Sequence, residues 1–216
     1  MEVLFYQPHN MFWNQTLEFQ NLIKNSNQNI NILTCNGVLK NHCMVFNAKK
    51  LPINGDNLKK KYICEECISN KKIYKKFNKS IKFFDIDSFL TSTDHLEINR
   101  HLEKINKDNY KKFEIDNIKL GIIATHDVIL IQKLNNIFSL EENYWQEYIS
   151  VLRSTLITFY GIRNFMKKAP IDRVITFNNL YCTNRVIAKF TEQKKIVNYN
   201  MSTGFAIANQ SLQFLK

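Results

Sequence analysis

Four cysteines that fall within thirty-three residues constrain the fold of this chain more than any other feature. Cys35 and Cys43 are followed, after a polar stretch, by the closely spaced pair Cys64 and Cys67. Two thiolates at CxxC spacing in a tight turn can share a metal ion, and an earlier pair can close a tetrahedral site. The spacing therefore predicts a structural zinc knuckle inserted over residues 35–67, whose four thiolates leave no open coordination position.

Two alternatives for this metal site stay open at the level of the sequence. His42 lies beside Cys43 and can replace one of the thiolate ligands. An iron–sulfur cluster also uses four cysteines. Cys182 is remote from the others in sequence, and we interpret it as a buried thiol or one at the start of a helix.

The sequence contains no signal for secretion or for crossing a membrane. No run approaches the roughly twenty apolar residues of a transmembrane helix. The first residues, Met1 to Phe5, lack a basic segment, and polar residues follow by Gln7. We therefore expect a cytoplasmic protein, in which clustered cysteines are metal ligands more often than disulfides.

The opening of the chain has a strand–helix–strand pattern. Apolar runs at Glu2–Gln7 and Asn29–Thr34 predict two buried strands, and the apolar spacing over Met11–Ser26 predicts the helix between them. A right-handed crossover makes such strands parallel. The predicted fold is α/β, a Rossmann-like parallel sheet flanked by helices, forming one domain over residues 1–216. No GxGxxG follows the first strand, so a dinucleotide site is not predicted.

Further elements follow the same alternation. An aromatic stripe predicts a long helix over Glu141–Lys168, and the apolar run in residues 172–179 predicts a strand that ends in polar residues. The other predicted segments are a helix over Ile68–Ser80, a helix over Thr93–Ile105, a strand or an extended lead over Asp116–Ile123, a helix over Val128–Leu134 capped by Thr125-His126-Asp127, a helix from Cys182 or Thr183, and a strand over Lys195–Tyr199.

The chain is strongly basic, with a net charge of +11 and a pI near 9.4. Nine lysines face two glutamates between Lys59 and Lys82. Such a balance is typical of a protein that contacts a polyanion or an acidic membrane surface. It is also typical of a solvated helix face, and the abundance of Asn, Lys and Ile indicates an AT-rich coding sequence.

A further motif lies at the predicted strand near the C-terminus. Pro170, Asp172, Val174, Phe177 and Asn178 form a Pro-x-Asp-x-Val-x-x-Phe-Asn segment after the long helix, and an arginine follows in the next helix. Together with the cysteine element, this segment resembles the N-terminal half of GT-B-type bacterial glycosyltransferases, which build surface polysaccharides such as capsule and O-antigen.

The resemblance implies a function for the whole chain. It implies the acceptor-side domain of a glycosyltransferase that transfers a sugar from an activated donor. The sugar nucleotide would bind mainly to a missing second domain, so the resemblance implies little or no activity for this chain alone. The implied partner is a glycan or lipid-linked acceptor, with possible peripheral contact between the basic residues and anionic lipid at the inner membrane face.

Polar residues at the ends of the predicted strands are candidate site residues, since ligands bind outside the carboxyl ends of parallel strands. The candidate acceptor-binding residues are Asn178, Asn179, Arg185 and Gly204. Asn178 also suits an ordinary turn, and Arg185 suits either an anionic acceptor or a pair with Asp172. The candidate catalytic bases are His9, after the first strand, and His126 with Asp127.

Two other functions are compatible with parts of the sequence. A zinc-knuckle nucleic-acid-binding protein would use the lysines of residues 59–82 and the CxxC pair. Few aromatic residues lie in that segment and the α/β domain would be unexplained, so nucleic acid is an unlikely partner. A structural scaffold without a ligand is the third option. The absence of HExxH and GxSxG motifs argues against hydrolase chemistry.

Overall fold

The computed structural model describes residues 1–9, 28–52, 55–134, 140–203 and 212–215. The helix predicted over Met11–Ser26 and the candidate residue Gly204 lie outside these residues. Among the described helices, none combines the length and apolar character that crossing a membrane requires.

A six-stranded sheet organises the described part of the chain, and its order is β3-β2-β1-β4-β5-β6. The first five strands are parallel and β6 pairs antiparallel with β5. The prediction of a Rossmann-like parallel sheet is confirmed. The strands are β1 (Glu2–Tyr6), β2 (Asn29–Thr34), β3 (Lys82–Asp85), β4 (Arg173–Phe177), β5 (Val197–Thr203) and β6 (Leu212–Leu215).

Helices connect and cover the strands. The described helices are α1 (Met44–Ala48), α2 (Asn57–Phe77), α3 (Ser92–Lys104), α4 (Leu120–Gln132), α5 (Trp145–Lys168) and α6 (Cys182–Gln193). A capping box between Thr91 and Asp94 starts α3, which agrees with the predicted helix there. The long helix α5 begins at Trp145 rather than Glu141, because residues 142–144 form a short 3-10 turn.

The main hydrophobic core lies between the sheet and α3 to α6. Leu4 and Val174 extend from neighbouring strands toward Leu152, Leu156 and other buried residues of α5 in one cluster. Burying apolar surface contributes roughly 25 cal/mol per Å², so this cluster is a major source of stability. α5 therefore packs on the sheet, as its aromatic stripe predicts.

The knuckle predicted over residues 35–67 is not formed as a loop. The side chain of Asp56 accepts hydrogen bonds from the N–H groups of Leu58 and Lys59 at 2.8 and 3.2 Å, and this cap starts α2. Cys64 and Cys67 consequently lie inside a 21-residue helix rather than in a tight turn. The helix predicted over Ile68–Ser80 thus begins earlier, at Asn57.

The predicted cap at Thr125-His126-Asp127 is also wrong. These residues lie in the interior of α4, which begins at Leu120. Leu120, Ile123 and Ala124 are all buried, and this helical spacing extends the helix through the segment interpreted as a strand or an extended lead. Asp127 therefore projects from the middle of a helix and is available for long-range contacts.

Candidate functional site

The candidate site lies where the direction of strand connection reverses, between β1 and β4. From β1 the chain proceeds to β2 and β3 on one side, whereas β4 leads to β5 on the other. In open α/β sheets, ligands bind at such a switch point, outside the carboxyl ends of the strands. Gln7 and His9 follow β1 at this edge, and Asn178 and Asn179 follow β4.

A buried cluster of three side chains lies at this edge. Nε2 of His42 is 3.0 Å from Oδ2 of Asp127, and the two side chains are only 4% and 1% exposed. The backbone N–H of Cys182, the first residue of α6, donates to the same carboxylate oxygen at 3.2 Å. One potential ligand atom from each of the three residues lies within 4.8 Å of the other two.

The carboxylate at the centre of this cluster is ionised. Burial raises the pKa of Asp127, but the hydrogen bond and charge of His42 and the hydrogen bonds from Cys182 outweigh burial and hold that pKa below its usual value. Burial and the negative charge of Asp127 raise the pKa of the Cys182 thiol well above its usual value. Cys182 is therefore a neutral thiol beside a carboxylate.

A small, mostly apolar cavity adjoins the cluster at the ends of β1 and β2. All four cysteines of the sequence motif line it, together with Gln7, Pro8, His9, Thr34, Asn36, Gly37, Val45, Phe46, Ile63, Ile68 and Lys71. Its volume is about 30 Å³, so a bound group must be small or must displace side chains. Cys43 lines both this cavity and a second one beside Asp127.

The four cysteines approach one another but do not form a compact metal site. Among the described residues, their sulfurs supply no group of three or more within 4.8 Å of one another. Burial raises the pKa of Cys43 to about 12, and burial also raises the pKa of Cys35 and of Cys64. Structural zinc on Cys35, Cys43, Cys64 and Cys67 stays a prediction.

A wide basic groove lies next to the apolar cavity. Lys40, Lys60 and Lys61 line it with Asn41, Asn57 and Ser150, and its volume is about 580 Å³. Gly37 and Cys64 line both the groove and the apolar cavity, so the two spaces adjoin. The groove suits an anionic ligand, and the cavity suits a small apolar group attached to it.

The two histidines predicted as bases differ in their surroundings. His9 is buried beside the apolar cavity, and burial lowers its pKa to about 4. His126 is half-buried, and burial and the Arg185 guanidinium lower its pKa. Asp127, which was named together with His126 as a candidate, bonds to His42. The sequence indicates His42 only as a replacement metal ligand, and its position beside Cys43 after β2 is the one signal that marks it.

Asn178 and Asn179, which were predicted to bind an acceptor, make hydrogen bonds within the turn after β4. Asn178 has a left-handed φ of 56°, and its side-chain oxygen accepts from the Leu180 N–H at 2.8 Å. Asn179 accepts a hydrogen bond from the Thr176 hydroxyl at 2.7 Å. These contacts are ordinary turn chemistry.

Arg185, which was also predicted to bind an acceptor, lines a separate groove beside α4. Asp172, its suggested partner, instead accepts the Glu2 N–H at 2.7 Å.

Comparison with known proteins gives matches by structure alone. The sequence matches no protein-family model and no curated protein. The fold is similar to that of a CDPS from Fluoribacter dumoffii, with a TM-score of 0.56 and 9% identity over 99% of this chain and 89% of that chain. AlbC, a cyclodipeptide synthase from Streptomyces noursei, has a TM-score of 0.44 and 3% identity, over 87% of each chain. A cyclo(L-leucyl-L-phenylalanyl) synthase has a TM-score of 0.46 and 4% identity, over 87% of this chain and 82% of that chain.

The similarity to the CDPS from Fluoribacter dumoffii corrects the functional predictions made from the sequence. Nearly the whole chain has the fold of that CDPS, and the similarity covers most of the CDPS as well. The fold is therefore not that of half a GT-B glycosyltransferase. The resemblance to polysaccharide-building enzymes is wrong, and the sugar nucleotide, glycan and lipid-linked partners that it implied are withdrawn. The zinc-knuckle nucleic-acid-binding alternative is also wrong, since the CxxC pair lies within α2. The expectation that nucleic acid is an unlikely partner is withdrawn with them.

Proposed function

We propose that this protein binds aminoacyl-tRNA and joins two aminoacyl groups into a cyclic dipeptide. The fold shared with a CDPS over 99% of this chain supports the reaction class. The net charge of +11 supports a polyanionic substrate, because lysine-rich proteins gain binding free energy when they release the counterions of a nucleic acid.

The observation that carries the proposal is the junction of the basic groove with the apolar cavity. An aminoacyl-tRNA has a polyanionic body and one small acyl group at its 3′ end. Lys40, Lys60 and Lys61 line the space that suits phosphates, and Gly37 and Cys64 line both this space and the cavity that suits the acyl group. The site lies at the carboxyl edge of the sheet, where ligands of α/β proteins bind.

The amide bonds would form by attack of one α-amino group on the ester carbonyl of the other aminoacyl group. Each attack forms a C–N bond, breaks the C–O ester bond and returns a proton to the released 3′ hydroxyl of tRNA. Burial keeps the Cys35, Cys43 and Cys64 thiols neutral, and the hydroxyl of Thr34 donates to Asp85. These four groups are not activated as nucleophiles, and Lys71, which also lines the cavity, donates to Asp85 at 2.6 Å. We therefore assign attack to the substrate amine.

A binding comparison tests the proposed substrate. Fluorescently labelled tRNA is prepared charged with alanine, charged with leucine, and uncharged, and each is titrated with the protein at low salt. We expect all three to bind, and a charged form to bind more tightly because its acyl group enters the apolar cavity. Equal affinity for charged and uncharged tRNA would contradict an aminoacyl site.

A second measurement tests the assignment of the nucleophile. The protein is incubated with tRNA carrying a radiolabelled amino acid and is then denatured with acid. Attack by the substrate amine predicts label in small products and none bound covalently to the protein. Covalent label that hydroxylamine releases would instead identify an acyl-enzyme and would contradict this assignment.

A further inference from the structure

We infer that His42, Asp127 and Cys182 bind one zinc ion, at a site separate from the four-cysteine motif. The three residues offer an imidazole nitrogen, a carboxylate oxygen and a sulfur, all of which zinc accepts. Their ligand atoms lie within 4.8 Å of one another, and the His42 and Asp127 atoms are 3.0 Å apart. Neighbouring ligands of a tetrahedral zinc are roughly 3.3–3.7 Å apart, so small side-chain shifts complete the geometry.

An unpaired oxygen in the cluster is a second, independent observation. Oδ1 of Asp127 is buried without a hydrogen-bond partner, whereas Oδ2 makes the contacts to His42 and Cys182. An unpaired carboxylate oxygen in a protein interior is unfavourable, and a metal ion bound by Oδ1 would use its free lone pairs. Nδ1 of His42 is also buried without a partner, but it lies on the opposite side of the ring from Nε2 and does not face the same ion.

The charges of the three side chains balance a divalent ion. Asp127 supplies one negative charge, His42 is a neutral ligand, and Cys182 supplies a second negative charge when zinc displaces its thiol proton. Binding forms the Zn–N, Zn–O and Zn–S bonds and releases that one proton to solvent. A neutral assembly avoids the large cost of burying net charge, which matters here because all three residues are buried.

The surroundings leave room for a fourth ligand. A cavity of about 20 Å³ is lined by the three residues together with Pro8, His9 and Tyr181 among others, and this volume accommodates one water molecule. Zinc with three protein ligands and one water is the arrangement of catalytic sites, whereas four protein ligands make a structural one. The inferred ion would therefore keep a position open to a small ligand at the carboxyl end of β1.

Metal content measured on designed variants tests this inference. The purified protein is stripped with a chelator, titrated with zinc chloride against a chromogenic competitor, and analysed for bound metal. We expect one equivalent that survives in C64S/C67S and whose affinity falls at least tenfold in D127N and in C182S. The assignment would be overturned if D127N and C182S still bound this zinc ion with wild-type affinity, or if only C64S/C67S lost it.

Cobalt substitution keeps the test independent of how well the variants fold. Cobalt chloride is added to the stripped wild-type protein, and the sulfur-to-cobalt charge-transfer band is recorded as the metal is titrated. Its intensity rises with the number of thiolate ligands, so the first equivalent should give the band of one thiolate. A band of four thiolates for that equivalent, or no cobalt binding, would rule out the proposed site.

Discussion

Nε2 of His42 lies 3.0 Å from Oδ2 of Asp127, although 85 residues separate them in the sequence. The same carboxylate oxygen accepts the N–H of Cys182, so one buried side chain of α4 joins the loop after β2 to the start of α6. These three segments meet at the carboxyl edge of the sheet. The contact therefore holds the candidate site together as well as contributing to stability.

Removing either partner of this pair should destabilise the protein strongly. In the presence of a chelator, H42A and D127A should each lower the free energy of unfolding by about 3 kcal/mol, since each removes one partner of a buried, hydrogen-bonded pair. The double variant H42A/D127A should lose less free energy of unfolding than the sum of the losses in the two single variants. Urea denaturation measures all four proteins, with exposed Asp108 mutated to alanine as the control. Strictly additive losses would contradict direct coupling between His42 and Asp127.

Gly121 should not tolerate even one added methyl group. A Cβ at this position would lie 1.7 Å from the carbonyl oxygen of Tyr110, so the backbone of α4 would have to move. We expect G121A to lower the free energy of unfolding by about 3 kcal/mol, at the upper end of overpacking costs. I122A, at the exposed neighbouring position, should change it by less than about 0.5 kcal/mol. Similar urea midpoints for the two variants would contradict the close approach.

The free energy of unfolding should decrease as the pH is lowered, because His9 is buried in its neutral form. Its pKa is about 4 in the folded protein against 6.5 when exposed, so the unfolded state binds a proton first as the pH falls. The contribution of neutral His9 to the free energy of unfolding is complete above about pH 6.5 and is lost as the pH falls to 4. The full difference corresponds to about 3 kcal/mol.

The variant H9Q isolates this effect. Histidines 101 and 126 also have lowered pKa values, but they are present in both proteins and their contributions cancel. Urea denaturation between pH 7 and 4 should give a shallower loss of stability for H9Q than for the wild type. Parallel curves would show that His9 is not buried as a neutral side chain.

The lysines of the groove should govern the salt dependence of tRNA binding. K40A/K61A should weaken binding and reduce the slope of log K against log salt by about 1 to 2, because each lost phosphate contact contributes roughly 0.7–0.9. K104A/K167A removes the same net charge from exposed positions away from the groove. Equal slopes for the two variants, measured by fluorescence anisotropy, would argue against the groove as the tRNA-binding surface.

The sequence predicts β1, β2, β4 and β5, because their signals are local, but it does not predict the edge strands β3 and β6. Short apolar runs mark β1, β2 and β4, and the aromatic stripe marks α5. The sequence does not predict the first half of α2, because CxxC spacing suggests a turn, whereas the Asp56 cap starts a helix there. The pairing of His42 with Asp127 has no local signal, since it depends on how α4 packs against the loop after β2.

The mistaken family resemblance also has a physical origin. Its most specific segment ends at Phe177 and Asn178, where a buried parallel strand enters a turn. Asn178 is suited to the left-handed backbone there, and Asn184 donates to its carbonyl oxygen at 2.8 Å. Any parallel strand followed by a tight turn into a helix favours such residues, so the segment reports a shared local structure rather than a shared function.

The most direct test of the account is whether the protein makes cyclic dipeptides from charged tRNA. The purified chain is incubated with total tRNA charged with a mixture of amino acids, and the products are analysed by mass spectrometry beside reactions containing uncharged tRNA and free amino acids. We expect one or a few cyclic dipeptides, formed only in the reaction that contains charged tRNA. Ester loss at the spontaneous rate without any dipeptide would contradict it.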